Sequence, residues 1–142
     1  MRRLTKLEIA RIQMDRAVQL FAQHQDYVSA ITLAGAADEI LGTLLKNTGK
    51  TPQILKDLDA IAQSREHFGM PEWQFKDYNL LFNGIRNGLK HHSGDESLQF
   101  DERQEAINML SRCIDNYLEL TGEEPEHLVD FAVMYPARWR YE

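Results

Sequence analysis

The chain has 142 residues and one cysteine, Cys113, so it forms no internal disulfide. Met109, Leu110, Ile114 and Tyr117 surround that cysteine in the sequence. They predict a half-buried helix position, where a free thiol acts as a small apolar side chain rather than a nucleophile. No apolar run approaches the roughly 20 residues that cross a bilayer, so no membrane association is expected. The first residues, MRRLTKLE, carry charge with no apolar stretch behind them, which predicts a cytoplasmic protein without a secretion signal. Basic residues are in deficit, 16 against 22 acidic, for a net charge of -6 and a pI near 5.4. That balance argues against coating nucleic acid non-specifically and leaves room for a small local basic site. There is no Gly-rich phosphate loop, nucleophile elbow or dinucleotide fingerprint, and no cofactor is expected. His91 and His92 with Asp95 and Glu96 lack the i, i+4 spacing or cysteine partners of a zinc site. No metal is expected there. His24, His67 and His127 are isolated.

Strand signals are nearly absent, whereas helix punctuation is clear. Thr5 and Glu8 form a capping-box pattern ahead of Leu7, Ala10, Met14, Ala17 and Phe21, which predicts a first helix over about residues 6 to 24. Asp26 is placed to cap a second, with an inward stripe of Ala30, Leu33, Ala37, Ile40 and Leu44. Its stretch LAGAADEILG is dense in small side chains and predicts close approach by another helix. Thr51 before Pro52 predicts the start of a third helix, ending near Gly69. Pro71 opens a fourth with Phe75, Tyr78, Phe82, Ile85 and Leu89 on its apolar seam. Asp101 with Gln104 caps a fifth, with Ile107, Leu110, Ile114 and Tyr117 inward and Gly122 at its end. A short sixth segment spans Pro125 to Tyr135. With no repeat and no long linker, the expectation is one all-α domain over residues 1 to 142. It is an up-and-down bundle of four long helices with one or two short ones, the core over about 5 to 121 and a short helix and tail over 122 to 142.

The fourth helix ends in NGIRNGLKHHSGD, residues 83 to 95. A turn of roughly 100° per residue places Asn79, Asn83, Arg86 and Lys90 in one stripe beside the seam. One reading is a solvated flank with Arg86 paired to Asp38 or Glu39. Two asparagines weaken it, because Asn is a poor helix former on a merely wet face. Gly84 and Gly88 weaken it further, since each costs about 1 kcal/mol against alanine and suggests close approach by a backbone or a substrate.

The segment R-N-G-L-K-H, Arg86 to His91, resembles the R-x4-6-H motif of the HEPN superfamily, including the polar residue that follows its arginine. ITLAGAADEILGTLL is similar to the second helix of HEPN domains, and the order of long helices is similar over about residues 5 to 121. The resemblance implies a helical bundle that dimerises with the motif near the interface. In many members it implies a metal-independent endoribonuclease, and in others a partner or binding module without catalysis.

The residue types suit that chemistry. RNA carries its own nucleophile, the 2′-OH, so a base and a cation at the phosphorus centre suffice without metal. His91 is the expected acid or base, Arg86 the phosphate-binding cation, and Asn87 the residue that orients the phosphate or His91. Asn83, Lys90 and His92 are expected to bind substrate, with Asp38 or Glu39 holding the Arg86 guanidinium. The adjacent His92 leaves the assignment of the acid or base open. Over five residues a helix turns about 500°, so Arg86 and His91 point about 140° apart and one straight helix does not assemble the site. Either the helix ends early at Gly88 or two copies meet across a two-fold axis. The aromatic Phe75, Tyr78 and Phe82 offer apolar surface for such a homodimer. The tail ARWRY, residues 137 to 141, either stacks on bases or docks its tryptophan on the bundle. Two functions stand: an RNA-cleaving enzyme, of the kind found in toxin or defence systems, and a non-catalytic dimer that binds a nucleotide or a protein partner such as a nucleotidyltransferase.

Overall fold

The computed structural model describes residues 1–90, 97–127 and 131. Those residues form five α-helices and no strand: α1 (Lys6–Gln19), continued by a π-helical turn (Leu20–His24), then α2 (Tyr27–Asn47), α3 (Gln53–His67), α4 (Phe75–Lys90) and α5 (Glu102–Thr121). The chain is all-α, as its periodicity predicts. The sixth segment falls largely outside the described residues; within it, Phe131 is buried edge-on against Phe21, with ring centroids 5.6 Å apart.

The helix starts show why these sequences fold where they do. Thr5 Oγ1 accepts from the Glu8 amide at 3.1 Å while the Thr5 amide donates to Glu8 Oε2 at 2.6 Å, which closes the capping box. Asp26 accepts from the Ser29 amide, and Asp101 from the Gln104 amide. Between α1 and α2, Gln25 takes a left-handed φ of 53°, which lets the chain reverse in two residues.

Two expected starts differ. α3 is not capped by Thr51: Pro52 holds the cap position in extended backbone, and the Gln53 amide donates to Asn116 Oδ1 of α5 at 2.8 Å. A tertiary partner has replaced the local one. α4 begins at Phe75 rather than at Pro71, where the Asp77 carboxylate accepts from the Gln74 amide at 2.9 Å.

The core lies among α1, α2 and α5. Ala10, Met14 and Ala17 of α1, Phe21 of the π-helical turn, and Ile107, Leu110, Ile114 and Tyr117 of α5 are buried in it. On α2 the buried face is turned from the expected stripe. Ala30, Ile31, Ala34, Ala37, Leu41 and Leu45 are buried, whereas Leu33, Ile40 and Leu44 are only half-buried. The reason is that α2 packs against α1 on one side and α5 on another, so its inward arc is wider than one 3.6-residue stripe. By length and composition α2 alone among the described helices is apolar enough to cross a bilayer, with mean hydropathy 1.4. Here its apolar side forms the centre of the fold. Cys113, expected to be half-buried, is fully enclosed.

By contrast, α3 and α4 contribute no buried residue. α4 lies on α2, and α3 on α5. Phe75, Leu80 and Leu81 of α4 remain 79%, 73% and 52% exposed. The helix that carries the motif is therefore, like α3, laid on the core rather than absorbed into it.

Candidate functional site

The polar centre of the fold is a carboxylate, Asp38, turned inward from the middle of α2. Arg112 of α5 donates from Nε to Asp38 Oδ2 at 2.9 Å, and Asn116 one turn later donates from Nδ2 to Asp38 Oδ1 at 2.7 Å. Both oxygens are thus satisfied. Burial pushes the Asp38 carboxyl above its ordinary range, opposed by the charge and hydrogen bonds of Arg112, then by Asn116 and the more distant Arg86.

Arg112 also reaches α4. Its Nη2 donates to Asn83 Oδ1 at 2.9 Å and its Nη1 to the Phe82 carbonyl at 3.3 Å, while Asn83 Nδ2 donates to Asn79 Oδ1 at 3.0 Å. One buried guanidinium therefore joins α2, α4 and α5. Asn83, expected to bind substrate, has both ends of its amide engaged in this network.

Arg86 leaves α4 in the next turn. Its stem crosses α2 at Gly35, where an added Cβ would overlap Arg86 Cδ and lie 2.8 Å from Cγ. The small residues of LAGAADEILG therefore admit an arginine side chain at this point, in addition to packing against helices. Arg86 Nη1 donates to the Gly35 carbonyl and Nη2 to Asn87 Oδ1, each at 3.3 Å, and Glu39 Oε2 lies 3.8 Å from Nη1. Of the two acids expected near Arg86, Glu39 is the neighbour and Asp38 is committed to Arg112. Arg86 Nε is buried without a hydrogen-bond partner. An unmet buried donor costs about 1–3 kcal/mol.

Between α2, α4, α5 and the start of α3 lies a cleft of about 200 Å³, lined by Lys46, Arg86 and Arg112 together with Asp38, Glu39 and Asn83. Three cations face two carboxylates, so the cleft has a small positive excess in a protein of net charge -6. Among the described residues no three of His, Cys, Asp and Glu are grouped to hold a metal.

α4 stays helical through Gly88 to Lys90, so the early end at Gly88 is not how this chain is built. The loop after it accounts for that glycine, since a Cβ there would sit 3.0 Å from Leu98 Cδ1. Gly84 meets only the side chain of its own turn, Leu80. Lys90 is exposed at the helix end. His91 and His92, and with them Asp95, Glu96 and the ARWRY tail, lie outside the described residues.

The sequence reading missed Arg112 and Asn116. The signal was present: on a helix whose inward residues include Met109 and Cys113, positions 112 and 116 fall on the same arc one turn apart, and a charged residue on a buried arc needs a partner. No family model, no curated protein and no solved structure matches the chain.

Proposed function

We propose that the protein is a metal-independent endoribonuclease of the HEPN type, with Arg86 as its phosphate-binding residue and its helices forming an up-and-down bundle that pairs through α4. The observation that carries this reading is the seating of Arg86. A guanidinium one turn from the helix end is positioned by Gly35 and Glu39 on the rim of a cleft with a cationic excess, five residues before His91. An arginine fixed in this way loses little further rotamer freedom when it meets a phosphate. In the reaction His91 takes the 2′-OH proton, the 2′-oxygen attacks phosphorus, and the P–O5′ bond breaks. The departing 5′-oxygen takes a proton from water, which leaves a 2′,3′-cyclic phosphate and a 5′-hydroxyl. Arg86 stabilises the charge on the phosphoryl oxygens. Because one straight helix points Arg86 and His91 apart, the second copy of the chain completes the site in this reading, and the exposed Phe75, Leu80 and Leu81 supply its apolar contact.

A second reading draws on the same arginine. Its side chain is only 17% exposed, and both Nη groups already have partners in the fold. Those contacts favour a non-catalytic HEPN-like dimer that holds a nucleotide phosphate or a protein partner at the cleft. Incubating the purified protein with mixed RNA in EDTA, beside the Arg86→Ala/His91→Ala variant, separates the two. Cleavage by the native protein alone supports the nuclease, and intact RNA in both samples supports the binding module.

A further inference from the structure

We propose that Lys46 is the second phosphate-binding residue of the Arg86 cleft, and that this cleft takes the sugar–phosphate backbone of single-stranded RNA while its bases stay outside. The inference rests on the reading of Arg86 as a phosphate-binding residue. Of the three cations that line the cleft, Arg112 is held by Asp38 at 2.9 Å and Arg86 faces Glu39 at 3.8 Å. Lys46 is left over: it is exposed, and its ammonium makes no ion pair or hydrogen bond among the described residues. The positive excess of the cleft is therefore the charge of Lys46.

Gly35, Glu39, Gly42 and Lys46 step by four, three and four along α2, so they share one face of it. Arg86 crosses that face at Gly35, and Lys46 stands at its other end. Between them Gly42 puts no side chain into the cleft. Long side chains on a helix lean toward its N-terminus, which carries Lys46 over the turn of Gly42 toward Arg86. From Glu39, the neighbour of Arg86, to Lys46 is seven positions, about 10 Å along the axis before that lean. Two cations so spaced suit two neighbouring phosphates of one strand rather than a single one. Pro52 and Ile54, at the start of α3, give the cleft an apolar wall for the ribose between them. Glu39 is 64% exposed, so its pairing with Arg86 is weak enough to yield to a phosphate. At about 200 Å³ the cleft falls below the roughly 300 Å³ at which pockets for whole small molecules begin. It has room for backbone and not for a base, and backbone contacts carry no sequence information.

The test titrates fluorescent 2′-O-methyl oligouridylate and oligoadenylate, which cannot be cleaved through the 2′-oxygen, with the full chain and reads anisotropy over a range of salt. Lys46→Gln should weaken both oligonucleotides alike, about five- to ten-fold near 50 mM salt, and lower the slope of log K against log salt by about 0.7, one phosphate contact. Lys46→Arg should restore affinity and slope. Lys56→Gln, at an exposed lysine outside the cleft, should change neither. A role confined to the end of α2 would move the melting temperature and leave the slope as it was, which would overturn the inference. Failure of the native chain to bind, equal loss in Lys56→Gln, or loss on one oligonucleotide alone would also overturn it. Cleavage of unmodified RNA by the same samples separates this inference from the nuclease. Native cleavage with affinity and slope unaltered in Lys46→Gln removes Lys46 and leaves the nuclease standing. Loss of affinity and slope in Lys46→Gln, with RNA intact throughout, sustains Lys46 and removes the nuclease.

Discussion

Arg112 and Asp38 meet at 2.9 Å with their side chains 6% and 7% exposed, and this one ion pair ties the helix of the arginine motif to the core. Removing one member leaves the other buried and uncompensated, which costs about 3–5 kcal/mol. Arg112→Met should lose that much in denaturant-unfolding free energy, and Asp38→Asn/Arg112→Met should recover part of it. A cost below about 1 kcal/mol for Arg112→Met would show that α4 is held by its other contacts.

Gly35→Ala tests the seating of Arg86. The new methyl overlaps the arginine stem, so overpacking should cost about 1–3 kcal/mol. In the Arg86→Ala background the same change should be close to neutral, because the atoms it strikes are gone. Additive costs in the double variant would mean that Arg86 does not rest on Gly35.

Cys113 is fully buried, and burial raises its thiol pKa well above 9.0, with the Asp38 charge adding to the effect. Its reaction with a thiol reagent should wait on opening of the fold, roughly 10³-fold or more slower in native protein than in denaturant. Rapid labelling of the native chain would contradict the enclosed position.

Acid stability divides the carboxyls into two groups. Hydrogen bonds from Thr5 hold Glu8 below 4.5, and those from Ser29 hold Asp26 below 3.8. Both groups stabilise the fold when ionised, so their contribution is present above those values and is lost as pH falls through the lower folded ones. The melting temperature should fall below about pH 4, and Glu8→Gln/Asp26→Asn should flatten that decline. Asp15 has the opposite sign: burial raises it above 3.8, opposed in part by the charges of His127 and Arg11. Its favourable contribution is complete below 3.8 and is lost as pH rises through the folded value. Asp15→Asn should therefore stabilise the protein at neutral pH and not near pH 3. A melting curve unaffected by Asp15→Asn at neutral pH would remove this account.

These contacts show which parts of the fold could be read in one dimension. Caps at Thr5, Asp26 and Asp101 are local, three residues from donor to acceptor, and the sequence carries them whole. The α3 cap could not be read, because its acceptor Asn116 lies 63 residues away. The pairing of Asp38 with Arg112 rather than Arg86 was hidden for the same reason, since α2 and α5 had first to be packed together. Even the placement of Gly35 became meaningful only when Arg86 was found to cross it. The motif singles out α4 in the sequence, while the partners of its arginine are set by tertiary contacts.

The catalytic prediction rests on the chemistry of Arg86 and the histidines that follow it. If His91 removes the 2′-OH proton, cleavage should persist in EDTA, require the 2′-OH, leave DNA intact and decline as pH drops below an imidazole pKa near 6.5. His91→Ala should lose roughly 10²–10⁴-fold in rate, the usual worth of a general base, and His92→Ala much less. Arg86→Lys keeps a charge but not the planar fork that holds two phosphoryl oxygens, so it should fall well below the native rate rather than substitute for it. Sedimentation at micromolar concentration should show a dimer, since the reading needs a second copy to bring the split motif together. Loss of cleavage in EDTA would mean metal chemistry, and a fully active His91→Ala beside an inactive His92→Ala would move the base by one residue. If RNA remains intact under every condition while a nucleotide still binds and Arg86→Ala releases it, the guanidinium holds a phosphate without breaking its ester.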